Sequence, residues 1–124
     1  MATIDLTGDN FEEVITKNDF VIIDFWAPWC GPCQGFAPVY TETSEKYTDI
    51  VFAKVNTEDQ QELGGHFQIR SIPTLMIFRE QVILYSEAGA MQASEFEKLI
   101  EQAKGVDMKD VHKQMAEQEV KVAK

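Results

Sequence analysis

Phe20-Val21-Ile22-Ile23-Asp24-Phe25-Trp26-Ala27-Pro28-Trp29-Cys30-Gly31-Pro32-Cys33 holds both cysteines of the chain and changes character part-way along. Residues 20–26 are almost continuously apolar, the pattern of a centre strand covered on both faces. From Cys33 onward the spacing turns helical, with Phe36, Val39, Tyr40 and Tyr47 as inward residues and Pro38 as an expected kink. A Cys-x-x-Cys at a strand-to-helix junction is a redox device. With Cys30 at the helix N-terminus, unpaired backbone N–H groups and the positive end of the macrodipole favour its thiolate. Cys33 then lies one turn along, close enough to attack a mixed disulfide formed at Cys30. Deeper in the helix, it is expected to be the more shielded thiol and the weaker acid. Pro32 is tolerated because a first-turn residue has no intrahelical partner for its N–H. A half zinc site is the competing reading, but zinc needs about four ligands. Only His66 and His112 remain, at no ligand-like spacing.

Length and composition narrow the rest. A chain of 124 residues buries one core without staples, and 44% hydrophobic with 26% charged residues suits a globular domain. No apolar run approaches the roughly 20 residues of a membrane helix. Residues 1–10 lack a basic start and an apolar h-region, so the expected compartment is the cytoplasm. Two cysteines there point to catalysis before a structural framework. The net charge of −10 argues against nucleic acid and anionic membranes as partners. All of it sits in residues 1–105, with 7 basic and 17 acidic side chains; residues 106–124 carry 4 of each.

Outward from the central stretch, Thr3-Ile4-Asp5-Leu6 alternates as a short first strand. Asp9 with Glu12 reads as a capping pair ahead of a helix that presents Phe11, Val14 and Ile15. Ile50 to Val55 is a strand, residues 58–67 a helix, and Thr74–Phe78 with Val82–Tyr85 a hairpin across Arg79-Glu80-Gln81. Ser94 and Glu97 suggest a second capping box before Phe96, Leu99, Ile100 and Ala103, with Gly105 as the stop. The order β-α-β-α-β-α-β-β-α describes a parallel part built by crossovers and closed by an antiparallel hairpin, an α/β layer fold.

Trp29-Cys30-Gly31-Pro32-Cys33 resembles the active site of the thioredoxin family, and the element order matches over about residues 2–105. The resemblance implies an α/β thioredoxin fold, a central mixed β-sheet flanked by helices, and a protein-disulfide reductase acting through Cys30 and Cys33. It further implies no bound cofactor, reducing equivalents from NADPH through thioredoxin reductase, oxidised proteins as substrates, and a monomer. Asp24, inside the apolar run, is expected to be buried with a raised pKa suited to moving the Cys33 proton. The family carries an Asp at this position, and the plainer alternative is a rim carboxylate capping a loop. Lys54 matches the lysine that neighbours this aspartate, although its own alternation with Phe52 equally suits a strand-edge charge.

Pro73 stands at the first position of a strand, where a sheet accepts proline. The matching family proline is cis and packs against the cysteines. That leaves the Ile72 backbone free to pair with an extended substrate. Gly89 matches a glycine that admits substrate backbone, with an ordinary turn glycine as the alternative. Trp29 reads as an exposed apolar platform, completing with Gly31, Pro32, Ile72, Pro73 and Gly89 a substrate-binding set. Trp26 reads as support under the loop.

Two departures from the family pattern stand out. Gln34-Gly35 replaces a basic residue and a larger one after Cys33. The chain also continues past the expected domain end at residue 105 into an extension over residues 106–124. There Asp107 could cap a helix with Met108, Val111, Met115 and Val122 on one stripe; a frayed end and a docked helix are both open. A non-catalytic binding module using the Trp29–Pro73 face, or a dedicated electron donor to one enzyme, are the functional alternatives.

Overall fold

The computed structural model describes the backbone of residues 3–123 and the side chains of residues 3–118. Ten elements follow in order: β1 (Thr3–Asp5), α1 (Phe11–Lys17), β2 (Phe20–Trp26), α2 (Gly31–Lys46), β3 (Val51–Asn56), α3 (Gln61–His66), β4 (Thr74–Arg79), β5 (Val82–Ala88), α4 (Ala93–Lys104) and α5 (Met108–Ala123). They form one five-stranded sheet in the order β1-β3-β2-β4-β5. β3 runs parallel to β1 and β2, whereas β4 is antiparallel to both β2 and β5. β2 is the centre strand, and its residues Val21 to Phe25 are all buried.

The period-two alternation of β2 divides the core. Ile22 faces α2 and α4, packing with Phe36, Tyr40, Phe96 and Ile100. Val21, Ile23 and Phe25 face the other way, against Ile15 of α1 and the partly buried Leu63, Phe67 and Ile69 around α3. Tyr40 stacks on Phe96 with ring centroids 5.7 Å apart, joining α2 to α4. Its buried hydroxyl lies 2.7 Å from the Ala53 carbonyl and 2.9 Å from that of Ile22, so the polar tip is satisfied by the sheet.

α2 starts at Gly31 with Cys30 as its N-cap, as expected, and it continues past Pro38. Several other local expectations need correction. The capping pairs are shifted in frame. Asn10, not Asp9, precedes α1, and its side chain secures the preceding turn through Thr7 N (2.7 Å) and Asp5 O (3.0 Å). α4 opens two residues before the expected frame, so Glu95 instead of Glu97 reaches back to the Gln92 N–H, at 3.4 Å. Gly105 ends α4 at φ −82°, right-handed, so no left-handed cap is required of it. The hairpin turn has positive φ at both Glu80 (50°) and Gln81 (69°), the backbone that Asn-Gly would supply more cheaply.

The extension is helical from Met108. Asp107 Oδ1 accepts the Lys109 N–H at 3.0 Å and the Asp110 N–H at 3.3 Å, a true N-cap. Met108 is 5% exposed and Val111 half-buried, while Met115 is exposed, so among the described residues the apolar stripe is engaged over its first turn. The side chain of Val122 lies outside the described residues. Arg79 Nη1 gathers the carbonyls of Ala103, Lys104 and Val106, and Glu80 pairs with His112 at 3.0 Å, so the β4–β5 hairpin holds the α4–α5 junction.

Candidate active site

The centre strand β2 ends at Trp26, and a four-residue loop turns the chain into α2. Backbone carbonyls at the start of the loop are satisfied locally. Trp26 O accepts from Thr57 N (2.8 Å) and Thr57 Oγ1 (3.0 Å), and Ala27 O accepts from Cys30 N (3.2 Å). Cys30 and Cys33 form a disulfide, with Cα atoms 5.2 Å apart. Because Pro32 has no N–H, the first-turn donor aimed at the site is Cys33 N–H, which reaches Cys30 Sγ at 3.2 Å. In the reduced pair, that donor and the helix N-terminus would both favour a thiolate on Cys30. The expected contrast in shielding is small: Cys30 is 4% exposed and Cys33 2%.

Across from the disulfide, the Ile72–Pro73 peptide bond is cis. Ile72 O lies 3.8 Å from Cys30 Sγ, and Ile72 packs with Trp26 against the pair of cysteines. β4 begins only at Thr74, so Ile72 is outside the ladder. Gly89 donates its N–H to Pro73 O at 2.8 Å and has φ +120°, which explains a glycine there. A Cβ at Gly89 would meet nothing within 4 Å, so backbone conformation and not close packing sets the residue type. Trp29 is 68% exposed, and Gly31 and Pro32 are exposed beside it. The Trp29 indole N–H donates to Glu58.

Asp24 lies on the α2 face of the sheet, sharing the parity of Ile22 and Trp26. It is 1% exposed, and neither carboxylate oxygen has a hydrogen-bond partner in the protein. Burial pushes its pKa from 3.8 up to about 7, with the Lys54 charge pulling the other way. Lys54 is the β3 register partner of Asp24, and its ammonium sits 4.8 Å from the Trp26 ring centroid. Asp24 is therefore enclosed within the sheet instead of exposed at its rim. Nothing in the sequence points to Thr57 or Glu58, whose partners are 31 and 29 residues distant. Among the described residues, no group of three or more His, Cys, Asp or Glu could hold a metal ion.

The Thioredoxin family model matches residues 2–102. The chain belongs to the thioredoxin family. A Streptomyces coelicolor protein named "Putative thioredoxin 2" is 50% identical over 118 residues, covering 95% of this chain and 88% of that protein. A match of that length reaches into α5. Thioredoxin of Buchnera aphidicola is 37% identical over 101 residues, 80% of this chain and 94% of its own. Among solved structures, a thioredoxin from Plasmodium falciparum has a TM-score of 0.74 at 36% identity, covering 81% of this chain and 97% of that one. A Halobacterium salinarum thioredoxin mutant reaches 0.77 at 30% identity, covering 86% and 95%. The five-stranded mixed sheet is thus the thioredoxin fold, and the chain is a thiol–disulfide oxidoreductase.

Proposed function

We propose that the chain reduces protein disulfides with Cys30 as nucleophile and Cys33 as resolving thiol. The Cys30 thiolate attacks one sulfur of the substrate disulfide and bonds to it, and the other substrate sulfur leaves as a thiolate that takes a proton from solvent. Cys33 then gives its proton to the Asp24 carboxylate, through water, and attacks Cys30 Sγ. The Cys30–Cys33 bond forms, the second substrate sulfur leaves, and the substrate has gained two electrons. A carboxyl titrating at about 7 is half-ionised at neutral pH, so it can accept that proton and release it again.

The observation that carries the reading is the Cys30–Cys33 disulfide at the N-terminus of α2, with Ile72 O beside Cys30 Sγ. Trp29, Gly31, Pro32, Ile72, Pro73 and Gly89 form the contact surface, where an extended substrate segment pairs with the Ile72 backbone. Trp26 and Lys54 support the site from the sheet side. Oxidised protein returns to the dithiol through thioredoxin reductase, with NADPH as the donor and no bound cofactor in the chain itself. The protein acts as a cytoplasmic monomer, with residues 1–105 as the thioredoxin domain and residues 106–124 as an extension. Among the described residues, no helix is long and apolar enough to cross a membrane.

The test is NADPH consumption with a thioredoxin reductase and insulin as the protein disulfide. Turnover by the wild type is expected, with none by Cys33→Ser. Equal reduction of insulin with and without the protein would refute the reading, leaving the dedicated donor or the binding module.

A further inference from the structure

The loop carrying Trp29 is held from two directions by residues outside it. Gln34, at the fourth position of α2, donates its backbone N–H to the Cys30 carbonyl at 3.1 Å. Its side-chain Nε2 donates to the Pro28 carbonyl at 2.6 Å. These two acceptors flank Trp29. The proline ring already fixes φ at residue 28, leaving ψ as its one soft dihedral. Anchoring the Pro28 carbonyl fixes that dihedral as well, and with it the direction in which the Trp29 backbone departs. Glu58 accepts the indole N–H. The result is an aromatic side chain that is 68% exposed but tied at its backbone and at its polar tip.

We propose that Gln34 is a positioning residue that presets the Trp29 platform for protein substrates, acting on their binding instead of on the thiol–disulfide exchange. The inference rests on the reading of Trp29 as the substrate platform. An exposed indole on a loose loop would have to be ordered at every encounter, which weakens binding; a preset one is already in place. The sulfur chemistry does not pass through the Gln34 side-chain amide, because the Cys30–Cys33 geometry is held by backbone bonds at the Ala27 and Cys30 carbonyls and by Cys33 N–H. The requirement at residue 34 is a side chain of this reach that can donate. Lysine satisfies it and methionine does not.

Three proteins decide the matter: wild type, Gln34→Met and Gln34→Lys. KM and kcat for insulin are measured with the reductase, alongside the ¹H–¹⁵N heteronuclear NOE of the Trp29 indole. Loss of one neutral hydrogen bond corresponds to about a three- to tenfold rise in KM for Gln34→Met, with kcat held. The indole NOE falls in the same variant, and Gln34→Lys restores both. Wild-type KM and NOE in Gln34→Met would overturn the proposal, as would a KM defect that Gln34→Lys fails to reverse. Absence of turnover in the wild type would strike the underlying reductase reading, and the NOE comparison would still decide the brace.

Discussion

Asp24→Asn separates the two consequences of burying a carboxyl without a partner. In the wild type the folded-state pKa, about 7, lies above the ordinary 3.8. The neutral form is therefore the one the fold favours. Its contribution is complete below the unfolded value and is lost as pH rises through about 7. Applying 1.36 kcal/mol per pKa unit, the wild type loses roughly 2 to 3 kcal/mol from this one group between pH 5 and pH 8. Full weight is appropriate because the residue is 1% exposed. Asparagine does not titrate, so its cost as a buried amide, about 1–3 kcal/mol, is the same at both pH values and drops out of the comparison. Urea unfolding of both oxidised proteins from pH 5 to pH 8 measures this directly. The stability difference, mutant minus wild type, should rise by roughly 2 to 3 kcal/mol across that window. A flat difference would refute the burial argument. The same variant should slow the resolving step at pH 7 by on the order of a hundredfold, the low end for a lost general base.

The remaining expectations concern the scaffold. Gly35→Ala should stabilise the protein by about 1 kcal/mol, seen as a thermal midpoint about 4 °C higher, because the helix gains propensity. The added methyl meets nothing within 4 Å. Gln81→Gly should raise the unfolding free energy by up to about 1 kcal/mol, seen as a higher urea midpoint, since a glycine removes the penalty of a left-handed backbone. An unchanged or lower midpoint would mean that the flanking contacts, including Glu80 N to Asp19 O at 2.7 Å, already offset the strain. Met108→Ala should speed proteolytic cleavage within residues 106–118 several-fold by loosening the buried anchor of α5. Equal cleavage rates would show that the Arg79 and His112 contacts hold the junction without it.

What the sequence made legible follows from how local each signal is. The apolar run of β2, the Cys-x-x-Cys at its end and the helical spacing after it are all read within about 20 residues, and the sheet they imply is the one observed. Burial of Asp24 was equally legible, since a polar residue inside a centre strand has nowhere to go. Cap frames failed because Asp9 and Ser94 have the right side-chain chemistry but stand in a turn or inside the helix, and backbone geometry decides between such neighbours. The Glu58 and Thr57 contacts were invisible because they join residues brought together only by the sheet. Gln34 was visible as a missing charge, whereas its hydrogen bond to Pro28 depended on where the loop folds back over α2.

The central assignment is that Cys30 attacks and Cys33 resolves. Reduced Cys33→Ser and Cys30→Ser proteins, each mixed with an oxidised protein substrate, can be resolved by non-reducing electrophoresis and peptide mass mapping. The account predicts a stable mixed disulfide at Cys30 in Cys33→Ser and little or none at Cys33 in Cys30→Ser. Accumulation at Cys33, or equal trapping in the two variants, would contradict it.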